Sequence, residues 1–183
     1  MTKSILVIAA HPDDEVLGCG GTIARYADEG ATIGVAFVAD GVSSRVGFER
    51  DTTAFQAAIE ARRAAARRAC GILGANAVSF GSFPDNRLDS VALLELVKTV
   101  EALFAAHRPE LVLTHHAHDL NVDHRMVHQA VEVASRPFPE NPIRTVAFFE
   151  VASSTEWRMA APGVAFAPTW YVDISASLDR KLR

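Results

Sequence analysis

The chain has 183 residues, of which 49% are hydrophobic and 22% are charged, and its formal net charge at pH 7 is −4. This length fits one domain with a sizeable core, and the composition is that of an ordinary globular protein. The negative charge argues against a general nucleic-acid binder, which would present a basic face. Arg62, Arg63, Arg67 and Arg68 lie in an Ala-rich stretch, where we expect a solvated helix face.

The two cysteines, Cys19 and Cys70, form neither a metal-binding cluster nor a disulfide framework. Reduced core thiols are typical of cytosolic proteins. The apolar run near the N terminus is cut off by acidic residues, so it is too short to span a membrane and lacks a signal-peptide pattern. We therefore expect a cytoplasmic protein without a transmembrane segment. The sequence leaves a homo-oligomer open.

Apolar runs typical of buried strands alternate along the chain with segments of helical spacing. This alternation predicts an α/β fold with a mostly parallel sheet and helices on both faces. No repeat or linker interrupts it, so we expect one domain over 1–183. Ser90 is expected to cap the third helix. The predicted strands are 4–10, 32–39, 77–80, 110–116, 145–151 and 169–175, and the predicted helices are 15–29, 51–73, 90–107 and 123–134.

Polar clusters follow most of the predicted strands directly. Ligands of parallel α/β sheets bind at the carboxyl ends of the strands, so these clusters should converge at one edge. In chain order the clusters read HPDDE, DGVSSR, FPDNRLD, HHAHDLNVDH and EVASSTEW.

The first cluster, HPDDE, has three interpretations. A helix start would explain one or two of the acids. Asp13 could cap the helix, and Asp14 and Glu15 would face the positive end of its dipole. This interpretation leaves His11 unexplained. A dinucleotide site is disfavoured, since HPDDEVL separates the strand from the glycines and Ile23 stands at the third glycine position. The small residues are more typical of a helix that packs closely on the sheet.

The third interpretation is a metal site. His11 and Asp14 are three residues apart across a turn bent by Pro12, so both could reach one ion, and imidazole with carboxylate suits zinc. Four of the seven histidines of the chain fall within residues 115–124, at and just after the end of the 110–116 strand, which is a strong signal. A third ligand would come from this segment, and its candidates are His115, His116, His118 and His124.

Three segments resemble the PIG-L/LmbE-like deacetylases: AHPDDEVLGCGGTIA, DLNVDH followed by a helix, and, more weakly, SSTEW near residue 155. The resemblance covers most of the chain. Members are zinc-dependent enzymes with a Rossmann-like α/β fold that remove N-acetyl groups, mostly from glucosamine-containing substrates. The resemblance implies that His11, Asp14 and His124 bind zinc and that Asp13 is the general base. Iron or cobalt could occupy the same ligands.

The chain departs from this family at two places. Many members have a histidine three residues before the third ligand that stabilises the charged intermediate or protonates the leaving amine, and Asn121 stands there instead. Asn can donate a hydrogen bond to an oxyanion but cannot deliver a proton at neutral pH, so His118 or Asp13 could take over the proton transfer. Members usually continue beyond the last helix, whereas this sequence stops at SLDRKLR, so we expect a C-terminally shortened domain.

Further polar residues at the same edge could bind sugar hydroxyls. The resemblance supports an arginine of the DGVSSR loop in this role, and Trp157 could stack on a sugar face. Asp123 could orient a histidine or cap its helix, and Glu15 could support the helix dipole or a metal ligand. The candidate substrate-binding residues are Arg45, Asp85, Asn86, Glu150, Ser153 and Ser154.

The predicted function is metal-dependent hydrolysis of an N-acetylglucosamine-type substrate, either a small molecule or a glycoconjugate. Acetate and a free amine would be the products. Two alternatives stay open. One is a zinc amidase that acts on another N-acyl amine, and the other is a metal-binding protein that has lost its catalytic activity.

Overall fold

The computed structural model describes residues 3–45, 52–139, 141–159 and 163–183. Within them, five parallel strands form one sheet in the order β3-β2-β1-β4-β5. The strands are β1 Ser4–Ala9, β2 Thr32–Ala39, β3 Ala77–Phe83, β4 Leu111–His115 and β5 Thr145–Phe149. The helices are α1 Asp14–Asp28, α2 Thr53–Leu73, α3 Leu93–His107, α4 Val122–Ala134 and α5 Leu178–Lys181, with short 3-10 helices at Leu88–Ser90 and Thr155–Trp157.

The core lies on both faces of the sheet. Alternate residues of a strand point to opposite faces, so Ile5 and Val7 pack with residues of α1 and α2, whereas Leu6 and Ile8 pack with residues of α3 and α4. Burial on both faces explains why the strands read as continuous apolar runs. The predicted α/β fold with a parallel sheet is confirmed.

The strand order reverses direction beside β1. The chain runs outward from β1 to β2 and β3, and it then returns to the other side of β1 to form β4 and β5. The loops that follow β1 and β4 therefore leave the sheet in opposite directions and open a crevice between them, which is where open α/β sheets bind ligands. The HPDDE and HHAHDLNVDH segments flank this crevice.

Close packing explains the small residues of α1, as expected. A Cβ atom added to Gly18 would overlap the ring of Phe149 on β5, and one added to Gly21 would lie 2.5 Å from Ile174 Cδ1. The first contact lets α1 lie close to the sheet. The second holds the C-terminal segment against the outer side of the same helix.

Two local predictions are wrong. Residues 169–175 form no strand; Trp170 and Tyr171 are exposed and the segment is anchored on α1 through Ile174, so its local strand propensity finds no pairing partner. Ser90 does not cap α3, because the chain first makes a 3-10 turn in which the Ser90 hydroxyl donates to Arg87 O. No helix in the described part of the chain combines the length and the apolarity that crossing a bilayer requires.

Candidate metal centre at the sheet edge

The turn after β1 directs two side chains into the crevice. The Oδ2 atom of Asp14, the first residue of α1, accepts a hydrogen bond of 2.8 Å from the backbone N–H of His11. Both residues are buried. Asp13 between them has a φ of 140°, a backbone conformation that favours glycine, so the turn is strained at this aspartate. Strain of this kind is characteristic of functional sites.

The start of α4 brings a third side chain to the same place. Asn121 caps this helix, since its Oδ1 accepts a 2.8 Å hydrogen bond from the N–H of Asp123. His124, in the first turn, lies with its Nε2 atom 3.3 Å from Asp14 Oδ1. One ligand atom each from His11, Asp14 and His124 lies within 4.8 Å of the others. Two imidazoles and a carboxylate are the donor set of several catalytic zinc sites, so these residues fit a zinc ion.

The remaining nitrogen of each histidine faces a carboxylate. His11 Nε2 lies 2.9 Å from Asp123 Oδ2 and 3.0 Å from Asp85 Oδ1, and His124 Nδ1 lies 3.2 Å from Asp119 Oδ2. Carboxylates in these positions orient metal-binding histidines and raise their basicity. The other nitrogen of each ring therefore faces the Asp14 carboxylate. His11 Nδ1 lies 3.4 Å from Asp14 Oδ2, and His124 Nε2 is turned towards the same carboxylate.

Backbone N–H groups hold two of these carboxylates, Asp119 and Asp123, which are fully buried. Asp123 accepts hydrogen bonds from the N–H groups of Asn86 at 2.7 Å and Leu88 at 2.9 Å. Asp119 accepts from the N–H of Asn121 at 2.8 Å, and also from two hydroxyls of the turn that follows β5. His11, Asp85 and Asp123 also form a group whose ligand atoms lie within 4.8 Å. Because Asp123 already accepts these backbone bonds, we interpret that second group as a support for His11.

The charges of the site favour a cation. Burial disfavours a charged imidazole, yet hydrogen bonds to Asp123, Asp14 and Asp85 outweigh burial and raise the pKa of His11 to about 12. The pKa of His124 is raised to about 9 against the effect of burial, by Asp119 and Asp14. Burial alone would raise the pKa of Asp14, but the hydrogen-bonded His11 and His124 hold it well below its usual value. The carboxylates therefore attract positive charge into the site.

The structure separates the four candidates for the third ligand. His115 is fully buried, and its Nε2 accepts a 2.8 Å hydrogen bond from the N–H of Ala10, so this nitrogen is engaged. Burial lowers the pKa of His115 to about 3, and its neutral ring stacks on that of His124 with centroids 3.9 Å apart. His116 Nε2 lies 3.1 Å from Val164 O, and the exposed His118 has its ring beside that of His116. Among these four, His124 alone belongs to the ligand group.

A cavity of about 590 Å³ opens above the ligand group. Glu150 and His118 do not line it, and Glu150 instead borders a separate cavity beside β5. Glu15 lies below the turn, where its Oε2 accepts a 3.0 Å bond from the N–H of Asp13 and where burial raises its pKa to about 7. Asp123 is fully buried and does not line this cavity. Besides the three candidate ligands, the predicted residues that line it are Asp13, Arg45, Asp85, Asn86, Asn121, Ser153, Ser154 and Trp157.

Two residues at the site were not assigned a role by the sequence. Arg62 lines the cavity, and its Nη2 lies 2.7 Å from Asp13 Oδ2, so the expectation of a purely solvated face is wrong for this arginine. Burial raises the pKa of Asp13 above its usual value, although Arg62 opposes the rise. Asp119 is the second. The sequence signal for Asp119 is its place in the DLNVDH segment, whereas the approach of Arg62 depends on how α2 packs.

These features define an α/β protein with a candidate His–Asp–His metal centre at the switch point of a parallel sheet. The PIG-L family model, described as GlcNAc-PI de-N-acetylase, matches residues 6–135, and the chain belongs to this family. The resemblance inferred from the three sequence segments is thereby confirmed. The family and the relatives described below include deacetylases, which are hydrolases.

Proteins similar to this chain include two deacetylases and a hydratase. The uncharacterised deacetylase YaiS of Escherichia coli is 33% identical over 143 residues, which cover 75% of this chain and 71% of YaiS. The 1D-myo-inositol 2-acetamido-2-deoxy-alpha-D-glucopyranoside deacetylase of Rhodococcus erythropolis is 30% identical, with 88% of this chain and 70% of that protein covered. The crystal structure of the 4-carboxy-2-hydroxymuconate hydratase of Pseudomonas putida superposes with a TM-score of 0.71 at 27% identity, covering 98% of this chain and 76% of the hydratase.

Proposed function

We propose that this chain is a zinc-dependent deacetylase that releases acetate and a free amine from an N-acetylglucosamine-type substrate. The observation that carries the proposal is the buried His11, Asp14 and His124 group on the floor of a cavity that Asp13 also lines. The family and the Rhodococcus relative, which acts on an acetamido sugar, support the same reaction class. The free, buried Cys19 and Cys70 support a cytoplasmic location.

His11, Asp14 and His124 would hold the ion. A zinc ion bound there supplies Lewis acidity, which polarises an amide carbonyl and lowers the pKa of water. Iron or cobalt would fit the same donors. Asp123 and Asp119 contribute by fixing the two imidazole rings, because Asp123 is hydrogen-bonded to His11 Nε2 and Asp119 lies 3.2 Å from His124 Nδ1, the nitrogens that face away from Asp14.

Asp13 is the residue proposed to move protons. Its carboxylate would accept a proton from the attacking water and return it to the leaving amine nitrogen. The strained turn and the bond from the Arg62 guanidinium keep this carboxylate at the cavity surface. A raised pKa brings a carboxylate nearer to the value that a base active at neutral pH requires, which is consistent with this role.

Asn121 is proposed to stabilise the negative charge that develops on the carbonyl oxygen. Its Oδ1 atom is occupied by the N–H of Asp123, which leaves the Nδ2 group to donate towards the cavity that Asn121 lines. The exposed His118 lies beside His116 and outside the cavity lining, so it has no support as the proton donor. Asp13 is therefore the better candidate for both proton transfers.

The hydroxyl groups of the sugar would bind to Arg45, Asp85 and Asn86. These residues line the same cavity, and Asp85 Oδ2 already accepts a 2.6 Å hydrogen bond from Ser44. Ser153 and Ser154 line the opposite side, where the Ser154 hydroxyl donates to Asp119. This spread of donors and acceptors suits a small polyol ring with its amide at the metal.

The test is acetate release by the zinc-loaded chain from N-acetylhexosamines, nucleotide-linked sugars and glycolipids. Asp13→Asn is expected to lower kcat by at least about 100-fold, as loss of a general base does, with zinc still bound at one equivalent. Asp89→Asn is the matched control, because Asp89 is an exposed aspartate outside the cavity lining. Zinc bound without acetate release from any substrate would contradict the proposal and favour a metal-binding protein without catalysis.

A second candidate is the hydration of an unsaturated carboxylate. It is favoured by the likeness to the Pseudomonas hydratase and by Arg45 and Arg62, whose guanidinium groups line the cavity and could pair with carboxylates. An unsaturated tricarboxylate added to the substrate panel distinguishes the two reactions. Loss of its conjugated absorbance, with no acetate released from any amide, would favour the hydratase.

A further inference from the structure

His115 is a buried histidine at the end of β4 to which the proposed function gives no role. Its exposed fraction is 0% and it does not line the cavity above the ligand group, so it does not reach a substrate there. Its Nε2 atom accepts from the N–H of Ala10, so the proton of the neutral ring is on Nδ1. Among the described residues, no acceptor faces this Nδ1 atom. A buried N–H without a partner is destabilising, which makes a histidine a poor choice as a mere filler of the core.

One contact of His115 fixes the backbone that precedes a candidate metal ligand. Ala10 lies between the last residue of β1 and His11, and it is fully buried, so its N–H requires an acceptor inside the protein. His115 Nε2 supplies that acceptor at 2.8 Å. The imidazole therefore holds the chain at the point where it leaves the sheet and turns His11 into the crevice.

A second contact fixes the ring of another candidate ligand. The rings of His115 and His124 stack with their centroids 3.9 Å apart and an interplanar angle of 14°. The ring of Phe149 on β5 meets His115 at 62°, with centroids 4.9 Å apart. The His115 carbonyl oxygen also accepts a 2.9 Å hydrogen bond from His128 Nδ1 on α4, the helix that carries His124. His115 is thus held in place itself, and its face restricts the plane of the His124 ring.

The same imidazole lies beside the third ligand, with Nε2 3.5 Å from Asp14 Oδ2. We propose that His115 is a positioning residue of the metal centre. It fixes His124 through the face of its ring and His11 through the N–H of Ala10, and it binds neither the ion nor the substrate. A neutral ring suits this place, because it adds no charge that would repel a cation. The inference rests on the zinc site of the proposed function.

Three variants separate the two contacts. His115→Ala removes both, His115→Phe keeps a flat ring without the acceptor, and His115→Gln offers an amide oxygen to the Ala10 N–H without the ring. We expect the zinc Kd, from competition with a chromogenic chelator, to rise about 10- to 100-fold in His115→Ala and less in the other two. Saturated with zinc, His115→Ala should lose about tenfold in kcat for acetate release. Its KM should stay within about twofold, because His115 does not line the cavity.

Thr114→Val is the matched control for a change in the core of β4. Thr114 is equally buried, points to the other face of the sheet, and donates its hydroxyl to Ile8 O at 2.9 Å. This variant should unfold at a lower urea concentration, yet keep the zinc Kd and the visible spectrum of the cobalt-loaded chain, which reports the arrangement of the ligands. His115→Ala should change both.

Two results would overturn the inference. One is a zinc Kd and a kcat within about twofold of the wild-type values in all the His115 variants that fold, and the other is an equal change in Thr114→Val. If the wild-type chain binds zinc but hydrolyses no amide, the proposed function fails, and the zinc and cobalt measurements still decide whether His115 positions the ligands.

Discussion

At the carboxyl ends of β1 and β4 the polar side chains are buried and bonded to one another, whereas in residues 169–175 the aromatic side chains face solvent. Asp14, Asp119 and Asp123 are at most 4% exposed, but Trp170 is 47% and Tyr171 is 76% exposed. Hydrogen bonds between loops that follow different strands hold the candidate metal centre, whereas the C-terminal segment is anchored at Ile174. The contrast indicates that side-chain positions are tightly determined where buried polar groups need hydrogen-bond partners from distant parts of the chain.

The largest expected effect is the loss of a metal ligand. His124→Ala should abolish stoichiometric zinc binding and lower acetate release by at least about 1,000-fold, because both the Lewis acid and its position are lost. His118→Ala is the matched control from the same histidine-rich segment, and it should retain zinc and most activity, since His118 is exposed and outside the cavity lining. Equal loss in both variants, measured as zinc per chain after dialysis, would contradict the assignment of His124.

A smaller effect is expected when an orienting carboxylate is removed. Asp119→Ala should weaken zinc binding by about 10- to 100-fold, because His124 loses the carboxylate that lies 3.2 Å from its Nδ1 atom and orients its ring. The measurement is the zinc Kd by competition with a chromogenic chelator. Glu156→Ala, an exposed acid in the turn bonded to Asp119, is the control and should leave the Kd within about twofold of the wild-type value. An unchanged Kd in Asp119→Ala would mean that His124 is held by packing alone.

The smallest effect concerns the C-terminal segment. Ile174→Ala should lower the free energy of unfolding by about 1 kcal/mol, since this side chain packs on Gly21 of α1. Tyr171→Ala, which removes a side chain that is 76% exposed, should change it by less than about 0.5 kcal/mol. Urea unfolding of the two variants provides the comparison. If Tyr171→Ala were the more destabilising, the segment would be held by contacts other than the one at Ile174.

Sequence alone predicted the features that depend on local patterns. The apolar runs of β1, β2 and β4 and the helical spacing of α1 to α4 agree with the structure within a few residues, because periodicity reports which side of an element is buried. The association of His11, Asp14 and His124 was predicted from the family resemblance, and the structure brings these three side chains together. The choice of His124 over His115, His116 and His118 required the structure, since residue spacing does not tell which imidazole can join His11 and Asp14.

The features that were missed depend on tertiary packing. Arg62 belongs to an Ala-rich helix whose sequence indicates a solvated face, and it reaches Asp13 because α2 packs beside the turn after β1. Residues 169–175 have the composition of a strand, yet a strand also requires a partner edge, and Ile174 packs on α1 instead. Glu150 follows β5 as expected but borders the other cavity, because the chain turns at 151–155 and directs Ser153 and Ser154 towards the metal centre.

The central claim is that His11, Asp14 and His124 together hold one divalent cation. X-ray absorption spectroscopy of the zinc-loaded chain tests it most directly, because the outer-shell scattering of imidazole rings counts the histidine ligands. We expect two imidazole nitrogens and carboxylate oxygen at about 2.0–2.2 Å, with one imidazole lost in His124→Ala. A zinc shell without imidazole, or one that keeps two imidazoles in His124→Ala, would contradict the account.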